Sequence, residues 1–215
     1  MSVANKLIIL GTHDFAEEVA DLVSQIDSLE LVAFIENQDR DRCSRTLLGK
    51  PIHWVDELPR FAGSHIALCA IGTTRRFQFT DQAEAAGIEF TVLRHPSVHM
   101  LPSASIGPGT ILSIGVLVAS HTVLGRHVIV NRGAMIGHHT VIGSHVTIAP
   151  GANIAGRVRI GDRAYIGMGA QIINDITIGA GAVIGAGSVV TRDVPDHVMV
   201  LGYPAAVVRQ GVEGM

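Results

Sequence analysis

From Ile106 onward the chain repeats with a period of six. Stepping by six gives Ile106, Leu112, Val118, Leu124, Val130, Ile136, Ile142, Ile148, Ile154, Ile160, Ile166, Ile172, Ile178, Ile184 and Val190, all of them aliphatic. The residue four further on is Thr, Val, Ala, Ser or Ile in every step, and the residue directly after the aliphatic one is mostly Gly, Ala, Ser or Asn. This fits neither the 3.6-residue period of an amphipathic helix nor the alternation of a half-buried strand. It predicts a short strand and a corner in each hexad, with the aliphatic side chain inward, the small residue at the turn and polar residues outward. Three sides close one 18-residue coil, so the series predicts about five coils, stacked about 4.8 Å apart by parallel backbone pairing.

Residues 1–95 follow a different pattern. Leu7-Ile-Ile-Leu10 reads as a strand, Gly11-Thr12 as a turn, and Phe15, Val19, Leu22, Val23 and Ile26 as the apolar face of a helix. Leu31–Ile35 and Ile66–Ile71 read as further strands, Arg75–Ala86 as a helix stopped by Gly87, and Ile88–Leu93 as a last strand. The alternation predicts an α/β, Rossmann-like domain over 1–95 with a parallel sheet. An all-β helix with a C-terminal extension follows over 96–215, beyond the junction at His95-Pro96. The full Gly-x-Gly-x-x-Gly fingerprint is absent, and Gly11 alone suits a tight turn as well as it suits a phosphate.

Composition agrees with a core of small and aliphatic side chains: 24 Gly and 47% hydrophobic residues, but only 4% aromatic. Cys43 and Cys69 form no Cys-x-x-Cys motif, which fits a reducing compartment. The opening residues carry no basic region followed by a long apolar run, and no apolar stretch approaches the ~18 residues of a membrane span. A soluble cytoplasmic protein is expected. The formal charge of −3 argues against nucleic acid as a partner.

Several segments resemble one group in order and spacing: the strand-Gly-helix start, Ala70-Ile-Gly72, His95-Pro96-Ser97, Asn131 to His138, Ala149 to Gly156, Ile184 to Val190, Val194-Pro195 and Gly202-Tyr-Pro-Ala205. The chain resembles the NeuD-type sugar acetyltransferases of the hexapeptide-repeat acyltransferases over nearly its whole length. That resemblance implies a left-handed β-helix, a homotrimer with active sites between subunits, and acetyl-CoA as co-substrate. It also implies a sugar acceptor, often nucleotide-linked, held by the N-terminal domain. No metal is expected.

Residue by residue, the resemblance places the general base on His138, with Asn131 beside it, and the oxyanion donor on the backbone N–H of Gly156. An imidazole suits the first role because its unperturbed pKa of about 6.5 lets it accept a proton at neutral pH. His138 and Gly156 are one coil apart, so the repeat predicts that they share a corner. The resemblance further places Thr147, Gly156, Met168 and Ala186 along the CoA groove, with Arg157, Arg159, Arg163 and Arg192 as candidates for the CoA phosphates. Acceptor contacts fall on Gly11, His13, Asp14, Phe15, Glu36, Asn37 and Gly72. Three sites depart from the family pattern. His139 stands where an acidic residue usually follows the base; at the acceptor site His13-Asp14-Phe15 replaces a Gly-Gly-His turn and Glu36-Asn37 replaces paired aspartates; and Thr147 stands where a histidine is common.

Two rival readings remain at this level. His121 with His139, and His127 with His145, are each one coil apart and should stack as solvated polar ladders. Such histidines also suit a zinc-dependent hydratase or hydrolase like the γ-class carbonic anhydrases, but the His-x4-His spacing of that group is missing. A non-catalytic trimeric sugar-binding protein is the third reading.

Overall fold

A computed structural model describes residues 4–215. In its first part, β1 runs Asn5–Leu10, α1 Asp14–Val23, β2 Leu29–Glu36, β3 Thr46–Leu47, β4 Lys50–Trp54, β5 Ile66–Cys69, α2 Phe77–Ala85 and β6 Glu89–Phe90. These strands form one sheet in the order β3-β4-β2-β1-β5-β6, parallel except for the β3–β4 hairpin. Alternation along β1 sorts its side chains between two faces. Leu7 and Ile9 pack with Val19, Val23, Phe34 and Leu68 on the α1 side, while Ile8 and Leu10 pack with Leu58, Phe61, Phe79 and Ala83 on the other.

Two features differ from the sequence reading. β3, β4 and the short 3-10 turns around them went unread, because Lys50-Pro-Ile-His-Trp54 buries only Ile52 and shows no apolar run. The expected strand Ile88–Leu93 is divided. Glu89–Phe90 pairs with β5, whereas Leu93–Arg94 leaves the sheet and pairs with Ile111–Leu112.

From Leu93 the two-residue strands build three parallel sheets, each strand pairing with the one 18 residues on: Ile129 with Thr147, Leu117 with Met135, Val123 with Val141. The repeat and its sheets fit a left-handed β-helix. The aliphatic series from Leu112 to Val190 is buried throughout, and Ile106 packs half-buried against it. Coiling starts ahead of Ile106 because strand pairing reaches back through His99–Met100 to Leu93–Arg94. Arg94 interrupts the aliphatic period there, so the sequence hides that coil.

Each corner contains one residue with φ between +54° and +72°. At one corner these are Gly115, Gly133, Gly151, Gly169 and Gly187, at the next His121, His139, Arg157 and Asp175, and at the third Gly109, His127, His145, Arg163 and Gly181. We call these the glycine, histidine and junction corners. A side chain in the left-handed region costs on the order of 1 kcal/mol, so the side chains kept at the last two corners are set against that cost.

The N-terminal domain packs on the face between the junction and glycine corners. There the outward side chains of Leu93, Ile111 and Ile129 join the cluster containing Leu7, Ile9, Val19 and Phe34. Each such burial contributes roughly 1.5–3 kcal/mol. The histidine corner is opposite this covered face, and the outward side chains beside it, Leu117, Met135, Val123 and Val141, are exposed. Val198–Gly202 extends the covered face's sheet and folds back on Ala205–Gln210 through Tyr203-Pro204. Among the described residues, no helix is long and apolar enough to cross a membrane.

Candidate active site

His138 and Gly156 stand on adjacent coils of the histidine corner, and the imidazole lies directly on the glycine. A Cβ at Gly156 would meet Cε1 and Nε2 of His138 at 2.6 Å, so any side chain there would push the ring away. On either side of Gly156 the backbone is paired: Ala155 N–H donates to the Ile172 carbonyl at 3.0 Å and Arg157 N–H to the His138 carbonyl at 2.8 Å. The Gly156 N–H itself has no acceptor among the described residues. At the junction corner the equivalent amides of Ser144 and Ala180 donate to Asp162 and Asp196, each at 2.8 Å. A backbone donor left unpaired next to an imidazole is available to a ligand.

His139 takes the place of the expected carboxylate and touches His138. Their Nδ1 atoms are 3.1 Å apart, with the rings edge to face at 86°. The His121 ring sits 4.8 Å from that of His139, tilted by 41°. The acidic group at this corner is Asp175, which sequence reasoning missed although it lies two coils below His139. Its carboxylate is gripped by Arg157, through Nε at 2.6 Å and Nη2 at 2.8 Å. The hydrogen bond from Arg157, with that cation's charge and a smaller contribution from His138, holds Asp175 below the usual carboxylate range. Asp162 sits at the junction corner instead, accepting from Ser144.

Other expected site residues fall elsewhere. Asn131 is at the glycine corner and donates through Nδ2 to the Ile148 carbonyl at 3.1 Å, so within one chain it does not neighbour His138. Met168 and Ala186 are exposed on adjacent coils of that same corner. Thr147 is not in an open groove. It is 2% exposed beneath the N-terminal domain, donates to the Gly72 carbonyl at 2.9 Å and accepts from Arg76 at 2.7 Å. Its outward row, with Ile111 and Ile129, is the one the domain covers. Among the arginines, Arg157 is committed to Asp175 and Arg163 lies over Phe77 at 5.3 Å, while Arg159 and Arg192 are exposed.

A cleft of about 280 Å³ opens at the carboxyl ends of β1, β2 and β5, lined by Gly11, His13, Phe15, Asn37 and Gly72, with Glu36 at its base. β1 has β2 on one side and β5 on the other, so the cleft lies at the switch point where open α/β sheets take ligands. Gly11, at φ +110° with a notional Cβ 3.2 Å from the Ala70 carbonyl oxygen, is the turn that lets the chain cross there. Glu36 does not offer a free carboxylate. It is 3% exposed, accepts from the Thr12 hydroxyl, and takes the amides of Asn37 at 2.8 Å and Gln38 at 2.7 Å. Burial opposes its ionisation, but those hydrogen bonds prevail and hold its pKa below the usual value. Asp14 starts α1 on the surface and does not line the cleft.

The family model described as Bacterial transferase hexapeptide (six repeats) matches residues 121–156 and 157–192. PerB from Caulobacter crescentus, solved in complex with CoA and GDP-perosamine, is 30% identical over 97% of this chain and 100% of its own, with a TM-score of 0.88. The acetyltransferase domain of PglB from Neisseria gonorrhoeae, in complex with acetyl coenzyme A, is 32% identical over 95% of this chain and 100% of its own, with a TM-score of 0.87. The chain belongs to the NeuD-type sugar acetyltransferases of the hexapeptide-repeat family. WeeI from Acinetobacter baumannii is similarly related, at 30% identity over 95% of this chain and 100% of its own, with a TM-score of 0.84. No curated protein sequence matches the chain.

In this sugar acetyltransferase the cleft is tied to the β-helix by an arginine that sequence reasoning did not single out. Arg76, 1% exposed, donates to the carbonyls of Thr73, His127 and Val146 at 2.7–2.9 Å, as well as to Thr147. Burial lowers its pKa to about 10. His127 and His145 stack at 4.9 Å and 19°, as their spacing predicts, but in place of a solvated ladder His127 is buried and His145 half-buried. His127 is buried against Phe90 and Glu84, and His145 accepts from or donates to Thr80 at 3.0 Å. Burial, then the charges of His127, Arg76, Arg126 and Arg163, pull His145 down to about 3. Among the described residues, no group of three or more His, Cys, Asp or Glu is placed to hold a metal ion.

Proposed function

We propose that the chain transfers the acetyl group of acetyl-CoA to the amino group of a nucleotide-linked amino sugar, with His138 as general base. The observation that carries this reading is the His138 ring lying on Gly156, whose backbone N–H has no acceptor among the described residues. The acceptor nitrogen attacks the thioester carbonyl carbon and gives its proton to His138 Nε2. The Gly156 N–H meets the charge that forms on the carbonyl oxygen. Collapse expels the CoA thiolate, which takes the proton back from His138. Proton transfer of this kind contributes roughly 10²–10⁴ in rate, and one oxyanion donor roughly 3–4 kcal/mol.

The acceptor's place is the cleft of the Rossmann-like domain, residues 1–95, whose β4-β2-β1-β5 core supports that assignment. The cleft belongs to the covered face and His138 to the opposite corner, so a site using both draws on two chains. This supports a homotrimer in which the glycine corner of one chain, with Asn131, Met168 and Ala186, faces the histidine corner of the next. Leu117, Met135, Val123 and Val141 supply apolar surface for that contact. The CoA phosphates then fall to Arg159 and Arg192, which are exposed and unengaged among the described residues. A cytoplasmic location fits the use of acetyl-CoA and the two free thiols.

The test is thiol release from acetyl-CoA against a panel of free and nucleotide-linked amino sugars. Turnover with at least one nucleotide-linked amino sugar, and little with the free sugars, is expected. Acetyl-CoA binding without turnover on any panel member would leave a binding protein, not an enzyme.

A further inference from the structure

We propose that His139 is a positioning residue for His138: its neutral imidazole accepts, on Nδ1, the proton that His138 carries on its own Nδ1. This rests on His138 being the base. A base that acts through Nε2 must keep that nitrogen's lone pair free, so its proton sits on Nδ1. The partner of that Nδ1 is His139 Nδ1 at 3.1 Å, which must therefore be unprotonated, with the His139 proton on Nε2. Two tautomers are fixed by one hydrogen bond. Asp175 does not compete for the task, since Arg157 holds both its carboxylate oxygens.

The backbone supports the arrangement. His139 is held at φ +59° in the column between His121 and Arg157, and its amide donates to the Ser120 carbonyl at 2.9 Å. The titratable or charged groups around the pair are His121, whose ring faces His139, and the Arg157–Asp175 ion pair below. A neutral acceptor differs from a carboxylate in one respect: a second proton on His139 would turn its Nδ1 into a donor facing a donor, so the role belongs to the neutral ring alone.

Two substitutions suit the left-handed backbone and separate the roles. In His139→Asn, Oδ1 sits as many bonds from the backbone as Nδ1 and accepts at every pH; in His139→Gly the acceptor is gone and the fold is undisturbed. The Asn variant should recover kcat at least about tenfold over the Gly variant, with the KM for acetyl-CoA alike in both. Equal kcat in the two variants, or a loss in His139→Gly that appears in the KM for acetyl-CoA instead of in kcat, overturns the proposal. His138→Ala, run alongside, separates the two failures. If it turns over like the wild type, the base reading fails and the positioning role goes with it. If it is inactive while Asn and Gly behave alike, only the positioning role is lost.

Discussion

At the scale of single residues, the site depends on one missing side chain. Gly156 is required by contact rather than by φ, because a methyl group would reach the His138 ring at 2.6 Å. Gly156→Ala should therefore fold normally and lose kcat by on the order of 10²-fold through displacement of the imidazole. Steady-state kinetics with a matched thermal melt check this, and wild-type kcat in a folded variant would contradict it. The pair was legible in the sequence because a coil of 18 residues gives every position an address. The same arithmetic reaches Asp175 from His139 through Arg157, yet Asp175 drew no attention, since its partner turned out to be an arginine in the intervening coil. Glu36, at the end of β2, shows the reverse: the resemblance implies ligand contact there, but the Thr12 hydroxyl and the amides behind it already occupy its oxygens.

At the scale of elements, the hexad period specified strands, corners and the buried rows, but not which face is covered. Ile111 and Ile129 each stand one place before a residue of the buried series, as do Leu117 and Val123, and only the packing of α1 and β1 distinguishes them. The covered face is also why Thr147, which the resemblance places along a groove, and the His127–His145 stack, which the spacing places in solvent, are found under the N-terminal part of the chain. Burial of that stack has a pH consequence. His145 is depressed to about 3 and His127 is lowered too, both first through burial. Unfolded imidazoles take up protons from about pH 6.5 downward, while folded His145 resists until about 3. The stability these neutral rings contribute is thus complete above about pH 6.5 and is lost as pH falls from there. Urea midpoints should drop between about pH 7.5 and 5, and the drop should shrink in His145→Asn, which keeps the left-handed turn. An equal drop in both proteins would show that the junction is not its source.

At the scale of the whole molecule, the two ends of the proposed reaction lie on different sides of one chain. The cleft at the switch point lies in the part of the chain packed on the covered face, across the β-helix from the corner that holds His138, and four exposed apolar side chains flank that corner. Nothing in a linear pattern reveals this, because the sequence lists corners without saying which one a neighbouring chain will meet. The claim on which the whole account depends is that the imidazole at this corner takes the acceptor's proton. The most direct measurement is kcat for acetyl transfer by His138→Ala, on the acceptor that the wild type uses best. A fall of roughly 10²–10⁴-fold, with the KM for acetyl-CoA little changed, is the result predicted; a kcat equal to that of the wild type would contradict it.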